Sequence, residues 1–185
     1  MAMFWLFVLC LTAALNVSSA QASDFTEIKH KARLGDARAQ YLLGRIYENG
    51  DGAHEDFVKA GRWYRKAAEQ NSVQAQYRLG HLYAAGLGVR QNYAEAMQWF
   101  GKAAAQGCAS AQNRLGVMYE RGHGVAQDYV EAYKWYTLAA AGEQHIFGVA
   151  NREVLARRLT REQIVEGERR AAMVVALISS GRPGR

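Results

Sequence analysis

The stretch AQYRLG at residues 75–80 decides the fold, because it recurs along the chain at a fixed interval. It returns as AQYLLG at residues 39–44 and as AQNRLG at residues 111–116, so both intervals are 36 residues. A period of roughly 20 to 50 residues is typical of solenoids, whose units bury their apolar faces only against their neighbours. The pattern therefore predicts a tandem-repeat protein that binds something rather than one that performs chemistry.

Each repeat is predicted to contain two helices, here called helix A and helix B. In the second repeat, apolar or small residues recur every three or four positions from Ala75 to Ala85, which places them on one face of helix A. Gly86 and Gly88 can adopt the left-handed conformation that ends a helix. Asn92, three residues before Glu95, predicts the start of helix B with a capping box.

Helix B has two adjacent aromatic residues at the same place in every repeat, followed one turn later by a pair of alanines. The aromatic pairs are Trp63 and Tyr64, Trp99 and Phe100, and Trp135 and Tyr136. Large rings facing alanines allow two helices to pack closely. Because the chain has one proline and few β-branched runs, we expect no strands and an all-α fold.

At these residues the chain resembles the Sel1-like repeat (SLR) family, which is related to the tetratricopeptide repeats (TPR). The shared pattern is A-x-x-x-L-G-x-x-Y-x-x-G-x-G, then a helix with Trp, a second aromatic residue and K-A-A. The second repeat matches it with Ala75, Leu79, Gly80, Tyr83, Gly86, Gly88, Trp99, Phe100, Lys102, Ala103 and Ala104. The resemblance implies a right-handed α-solenoid of helix-turn-helix repeats, a TPR-like superhelix with terminal capping helices.

The repeats and their flanks predict the organisation of the chain. We expect an N-terminal half-repeat capping helix at 23–38, repeats at 39–74, 75–110 and 111–146, C-terminal capping helices at 147–179 and a disordered tail at 180–185. Leu138 stands where the family pattern has Lys, which indicates that the array is ending. Thr160 and Gln163 form a capping box, so the last helix is expected to begin at Arg161.

Residues 1–22 are expected to be a signal peptide. The apolar run Met3–Leu15 precedes Ala20-Gln21-Ala22, a small-x-small cleavage site, although no Lys or Arg precedes the run. An uncleaved anchor is the alternative, but a spanning helix needs about 20 apolar residues. We therefore expect a periplasmic or secreted bacterial protein without an integral membrane span after cleavage.

Cleavage would leave Cys108 as the only cysteine, so no internal disulfide is expected. We expect the Cys108 thiol to be buried and inert, with pairing between chains as the alternative. The net charge is +6, and residues 152–185 alone contain eight Arg against four Glu. An exported protein meets no chromosomal DNA, so nucleic acid is not an expected partner. The basic segment is either a solvated helix face or a docking site for an acidic partner.

Catalytic, metal and cofactor sites are not expected. The five histidines show no His-x-x-x-His spacing and the chain has no Cys-x-x-Cys, so no helical turn presents two ligands together. His123 lies between two loop glycines and is expected to face solvent. Carboxylate pairs are informative only in an occluded cleft, whereas a short stack of repeats offers an open groove.

TPR arrays generally bind partners on the concave face, which helix A lines. Leu43, Leu79 and Leu115, with Tyr47, Tyr83 and Tyr119, are expected to be buried and therefore unavailable for binding. The predicted partner-binding residues are Tyr41, Arg45, Glu48, Asn49, Tyr77, His81, Asn113, Val117, Glu120 and Arg121. They differ between the three copies, as expected if the scaffold is constant and the recognition is not.

These observations favour an exported scaffold that binds a protein or peptide through the helix A face, and an acidic ligand would match the basic charge of the chain. An alternative is an envelope signalling regulator that binds the exported domain of a sensor. A hydrolase acting on cell-wall material or a lactam is the third class, and the absence of a catalytic constellation makes it the weakest. The sequence does not identify the partner, because a repeat period specifies the scaffold alone.

Overall fold

The computed structural model describes residues 24–142 and 146–180, and all the regular elements in these ranges are α-helices. The helices are α1 (residues 24–33), α2 (Ala37–Asn49), α3 (Phe57–Glu69), α4 (Val73–Ala85), α5 (Tyr93–Ala105), α6 (Ala109–Arg121), α7 (Tyr129–Ala141), α8 (Ile146–Ala156) and α9 (Arg161–Ser180). The all-α prediction is confirmed. The expected signal peptide and residues 181–185 of the expected tail lie outside the described ranges, while α9 runs to Ser180. No helix in those ranges combines the length and apolarity needed to cross a membrane.

The chain divides into two compact units, one up to Ser72 and one from Val73. In the first unit, α1 is followed by the hairpin of α2 and α3. The second unit contains two hairpins, α4 with α5 and α6 with α7, and then α8 and α9, which both pack against α7. The three hairpins are the three predicted repeats, each with a 13-residue helix A and a 13-residue helix B.

Helix A begins two residues earlier than the repeat boundaries expected from the sequence. Its first residues are Ala37, Val73 and Ala109. Asp36 shows why for α2, since its side chain accepts a hydrogen bond from Ala39 N at 2.6 Å and so caps the helix. The recurring Ala-Gln pair, from which the repeat boundaries are predicted, lies two residues inside helix A.

Each hairpin is closed by a direct contact between a glycine of helix A and an aromatic ring of helix B. An added Cβ would lie 2.6 Å from the Tyr64 ring at Gly44 and 2.5 Å from the Tyr136 ring at Gly116. Tyr64 and Tyr136 are fully buried. A residue other than glycine at this position would therefore force the two helices apart.

The residue after the tryptophan, rather than the tryptophan itself, is the central ring of the hairpin. Trp63 and Trp135 are only half-buried, whereas Trp99 of the second repeat is 6% exposed. The ring faces of Trp63 and Trp135 are covered by lysines, Lys66 at 4.6 Å and Lys134 at 4.2 Å from the ring centroids. In the third repeat, Leu138 replaces the usual lysine. Lys134, one turn before Leu138, covers the Trp135 ring instead and also forms an ion pair with Glu131.

Helix B begins at a capping residue in every repeat, but the predicted capping box is only half formed. The side chain of the cap accepts a backbone N–H of the first turn, as Asp128 does from Glu131 N at 2.9 Å. The N–H of the cap donates to the carbonyl of a helix A tyrosine instead of to a glutamate. These bonds are Asp56 to Tyr47 at 2.7 Å, Asn92 to Tyr83 at 2.9 Å and Asp128 to Tyr119 at 3.0 Å. The first repeat therefore needs no glutamate at Lys59.

The same three tyrosines were expected to be buried, and they are half-buried. Their carbonyls hold the start of helix B, while their rings lie at the edge of the core. The leucines of the same stripe, Leu43, Leu79 and Leu115, are at most 3% exposed, as predicted.

In each repeat a buried glutamine of helix A makes a hydrogen bond outside its own helix, and the sequence analysis did not assign it this role. Gln40 donates to the carbonyl of Ala32 at 3.1 Å, and Gln112 donates to that of Ala104 at 3.2 Å. Gln76 accepts a hydrogen bond from Gln106 at 2.8 Å. Burying an amide is costly unless its hydrogen bonds are made, so these contacts favour a single register between neighbouring helices.

The C-terminal helices pack closely on α7 because glycines stand at both contacts. An added Cβ at Gly148 of α8 would lie 2.9 Å from the Ala139 Cβ, and one at Gly167 of α9 would lie 2.8 Å from the Tyr133 ring. The predicted start of α9 is confirmed. Thr160 N donates to Gln163 Oε1 at 2.9 Å and Gln163 N donates to Thr160 Oγ1 at 3.3 Å, which completes a capping box.

Replacing Gly80 by alanine is expected to lower the free energy of unfolding by about 1–3 kcal/mol, the usual cost of overpacking a core. The new Cβ would lie 2.8 Å from the ring of Phe100, which is fully buried and has no room to retreat. Urea unfolding followed by circular dichroism measures the change. Gly101→Ala in α5 is the matched control, because nothing lies within 4 Å of its added Cβ. This control should be stabilised by roughly 0.5–1 kcal/mol. Equal stabilities of the two variants would show that the helices tolerate separation.

Candidate partner-binding faces

The predicted binding residues of the first unit lie on α2 and differ in their availability. The Tyr41 ring packs 5.9 Å from that of Tyr64, measured between centroids. Glu48 accepts a hydrogen bond from the Tyr64 hydroxyl. Arg45 and Asn49 are exposed, and Asn49 donates to Asp51 at 3.0 Å. Arg45 is therefore the most accessible charged group of this set.

In the second unit, the α4 residues are partly enclosed. The Tyr77 ring lies 5.8 Å from that of Phe100, in the same arrangement as Tyr41 and Tyr64. His81 is half-buried one turn further along the helix. Tyr77 is half-buried, so its ring links the buried Phe100 ring to the surface of the hairpin.

The α6 residues are tied to the C-terminal helices. Asn113 accepts a hydrogen bond from Asn151 of α8 at 2.9 Å. Val117 packs against the buried cluster that contains Tyr136 and Leu155. Arg121 is exposed and is the available cation among the predicted residues of this helix.

Glu120 has two partners within the second unit. It accepts a hydrogen bond from the Tyr136 hydroxyl at 2.7 Å and forms an ion pair with Arg158 at 3.3 Å. Burial, followed by the hydrogen bond to Glu120, raises the pKa of Tyr136. The hydroxyl therefore stays protonated and donates at any physiological pH.

The glutamates vary between repeats for a structural reason. Where helix B has tyrosine, the matching helix A position has a glutamate that accepts its hydroxyl, as in Glu48 with Tyr64. In the second repeat the ring is Phe100, and the matching position is Ala84. Variation at this position follows the needs of the internal contact, so it is no evidence of recognition.

Part of the basic C-terminal segment is also engaged internally. Arg158 lies 4.7 Å from the Tyr129 ring centroid as well as pairing with Glu120. Arg169 pairs with Glu166 at 2.7 Å, and Arg170 pairs with Glu131 at 3.3 Å. Hydrogen bonds from Arg169 and then from Arg170 lower the pKa of Glu166 to about 2. Arg158 and Arg170 attach α9 and the turn before it to the rest of the second unit, whereas the Arg169–Glu166 pair lies within α9.

In the described ranges, no group of three or more His, Cys, Asp or Glu side chains is placed to hold a metal ion. His123, expected to face solvent, is half-buried, with its ring stacked on Tyr93 at 4.6 Å between centroids. Cys108, expected to be buried, is half-buried at the cap position of α6.

A comparison with family profiles identifies the repeats. The Sel1 repeat profile matches residues 37–72, 73–108 and 109–143, with the same period as the sequence pattern and boundaries that fit the helix starts. The chain belongs to the Sel1 repeat family. Sel1 repeat proteins generally mediate protein–protein interaction, and the scaffold is generally non-enzymatic.

Two solved structures are similar to this Sel1 repeat protein. One is a protective antigen of uropathogenic Escherichia coli strains with an SLR fold, 32% identical with a TM-score of 0.77, covering 87% of this chain and 36% of its own. The other is a Sel1 repeat protein from Oxalobacter formigenes, 40% identical with a TM-score of 0.63, covering 71% of this chain and 98% of its own. This chain therefore spans about a third of the antigen. A comparison with curated proteins found no match.

The Glu48–Tyr64 contact of the first Sel1 repeat can be tested by a double-mutant cycle. Tyr64→Phe should lower the free energy of unfolding by about 1.5–3 kcal/mol, because it removes a hydrogen bond to a charged group. Adding Glu48→Ala reproduces the Phe100–Ala84 pair of the second repeat and should recover part of the loss. The coupling energy should be on the order of 1 kcal/mol. Additive effects in urea unfolding would show that Glu48 is available for a partner. Arg45→Ala is the control and should leave stability unchanged.

Proposed function

We propose that this Sel1 repeat protein is a binding scaffold that captures an acidic protein or peptide segment through the helix A faces of its repeats. The observation that carries the proposal is which charged groups of helix A have internal partners. The two predicted acidic residues, Glu48 and Glu120, are engaged by Tyr64 and Tyr136, whereas the predicted cations Arg45 and Arg121 are exposed. The hydrogen-bond donors most accessible to a partner are therefore the two guanidinium groups, which suit a carboxylate.

The composition of these faces supports the same conclusion. Arg45 follows Tyr41 by one turn of α2, so a cation stands beside an aromatic ring supported from below by Tyr64. Aromatic and arginine side chains are enriched in recognition surfaces because they offer large contact area together with directional hydrogen bonds. A ring already held by packing loses little conformational freedom when a partner covers it.

Site-specific photocrosslinking in the host tests the proposed faces. A photoreactive residue at position 45 or 121 should give a discrete adduct with one or a few proteins, identified by mass spectrometry. Position 62 on α3 is the control, because Arg62 is equally exposed but lies on a helix B. The same adducts at position 62, or none at the helix A positions, would contradict the proposal.

We also propose that the protein acts outside the cytoplasm, in the periplasm or as a secreted protein. The apolar run Met3–Leu15 and the small residues before Ser23 support this location. Export would make the partner an envelope or extracellular protein.

The intact mass of the protein recovered from its host tests the location. We expect a chain that begins at Ser23 and is found in the envelope or secreted fraction. Ala22→Phe should leave the leader attached, because the cleavage site requires a small residue. Recovery of the unprocessed wild-type chain from the cytoplasm would contradict the proposal.

A further inference from the structure

An open groove lies beside α1, at the start of the repeat array. α1 stands one period before α3, so it occupies the place of a helix B. Ile28 stands 36 residues before Tyr64, the ring that helix A covers in a complete repeat. In the described ranges, no helix A precedes α1. Ile28 lines a groove of about 430 Å³ between α1 and the end of α2.

The groove has an apolar floor and a negative rim. Phe25, Ile28 and Ile46 supply the apolar surface, and the carboxylates of Asp24 and Asp51 stand beside it. Its volume is in the range of ligand-binding clefts, about 300–1,000 Å³. The chemistry of this groove fits an apolar segment with a cationic side chain.

The other end of the chain presents a segment of that chemistry. Of the nine large hydrophobic residues exposed on the described surface, seven lie between positions 146 and 177. On α9, Val165, Ala172 and Ala176 share one face with Arg169, since they are separated by steps of four, three and four residues. Met173 lies beside them and is 53% exposed.

This stripe of α9 faces away from the rest of its unit. The opposite side of the helix packs on α7 through Gly167, beside the buried Ala171. An end helix of a solenoid normally has a polar outer face, which keeps the array soluble and prevents further stacking. The exposed apolar stripe indicates that α9 does not end the stack in this way.

We propose that the groove beside α1 binds the α9 stripe of a second copy of this chain. The apolar residues Val165 and Met173 of one copy would cover Ile28 and Ile46 of the next. The small residues Ala172 and Ala176 allow the close approach that glycine allows in the hairpins. Arg169 would reach the carboxylates of the groove, where opposite charges favour this orientation of the helix.

Arg169 can make this exchange because its present partner is exposed. The Arg169–Glu166 side chains are 59% and 35% exposed, so their pairing is weak in water. Because the two surfaces of the contact differ, each copy can bind one copy through its groove and another through its α9. This inference is independent of the helix A faces and of the partner proposed for them.

Sedimentation velocity of the chain in the form recovered from its host, over about three decades of concentration, tests the proposal. The mean mass should rise with concentration. Asp51→Arg and Arg169→Asp should each weaken association at least about tenfold, because each places like charges together. The double variant Asp51→Arg/Arg169→Asp should associate again, because the charges are exchanged. An equimolar mixture of the two single variants should also associate, by alternation, since the groove of each variant carries the charge that fits the α9 of the other.

Matched controls carry the same charge changes elsewhere on exposed helices. Glu69→Arg on α3 and Arg157→Asp on α8 should leave association unchanged. If association survives Asp51→Arg but is lost in Arg169→Asp, α9 of one copy binds α9 of another, which would overturn the proposal. A wild-type chain that remains monomeric throughout would also overturn it. The four substituted residues, Asp51, Glu69, Arg157 and Arg169, are all exposed. The circular dichroism spectra of the variants should therefore match that of the wild-type chain.

Discussion

The contact between a helix A glycine and a helix B aromatic ring is the constraint on which the rest of each hairpin depends. Gly80 brings the α4 backbone against the Phe100 ring, and the same contact recurs in the other two repeats. At this separation the tyrosine carbonyl near the end of helix A can reach the capping residue that starts helix B. The length of the loop and the start of the second helix both follow from this close approach.

Much of the fold could be predicted because it depends on local rules. Glycines in the left-handed conformation end helices, and the capping box of Thr160 and Gln163 begins α9. Each of these signals can be recognised from a few neighbouring residues of the sequence. The half-formed capping boxes could not be predicted in the same way. The carbonyl that replaces Glu95 belongs to another helix, so only the packed hairpin shows that the glutamate is not needed.

The candidate faces were predicted by position, and the structure shows which of those positions have internal roles. Glu48 and Asn113 differ between copies because of hydrogen bonds within the protein, to Tyr64 and to Asn151. A signal for the Glu48 contact was present in the sequence. At the position of Glu48, glutamate occurs only in the repeats whose helix B has tyrosine. The Asn113 contact involves α8, which departs from the repeat pattern, so no comparison of copies could reveal it.

The buried glutamines have a consequence for how such a chain can change its length. Gln112 reaches the carbonyl of Ala104 across a turn of fixed size, and Gln40 reaches Ala32 across an equal one. Inserting or deleting one or two residues in this turn would break the hydrogen bond between the glutamine amide and the carbonyl, and both groups would stay buried without a partner. Duplication or loss of a whole 36-residue segment restores every such bond at the new junction. Recombination between copies therefore offers the array a route to grow or shrink that point insertions do not.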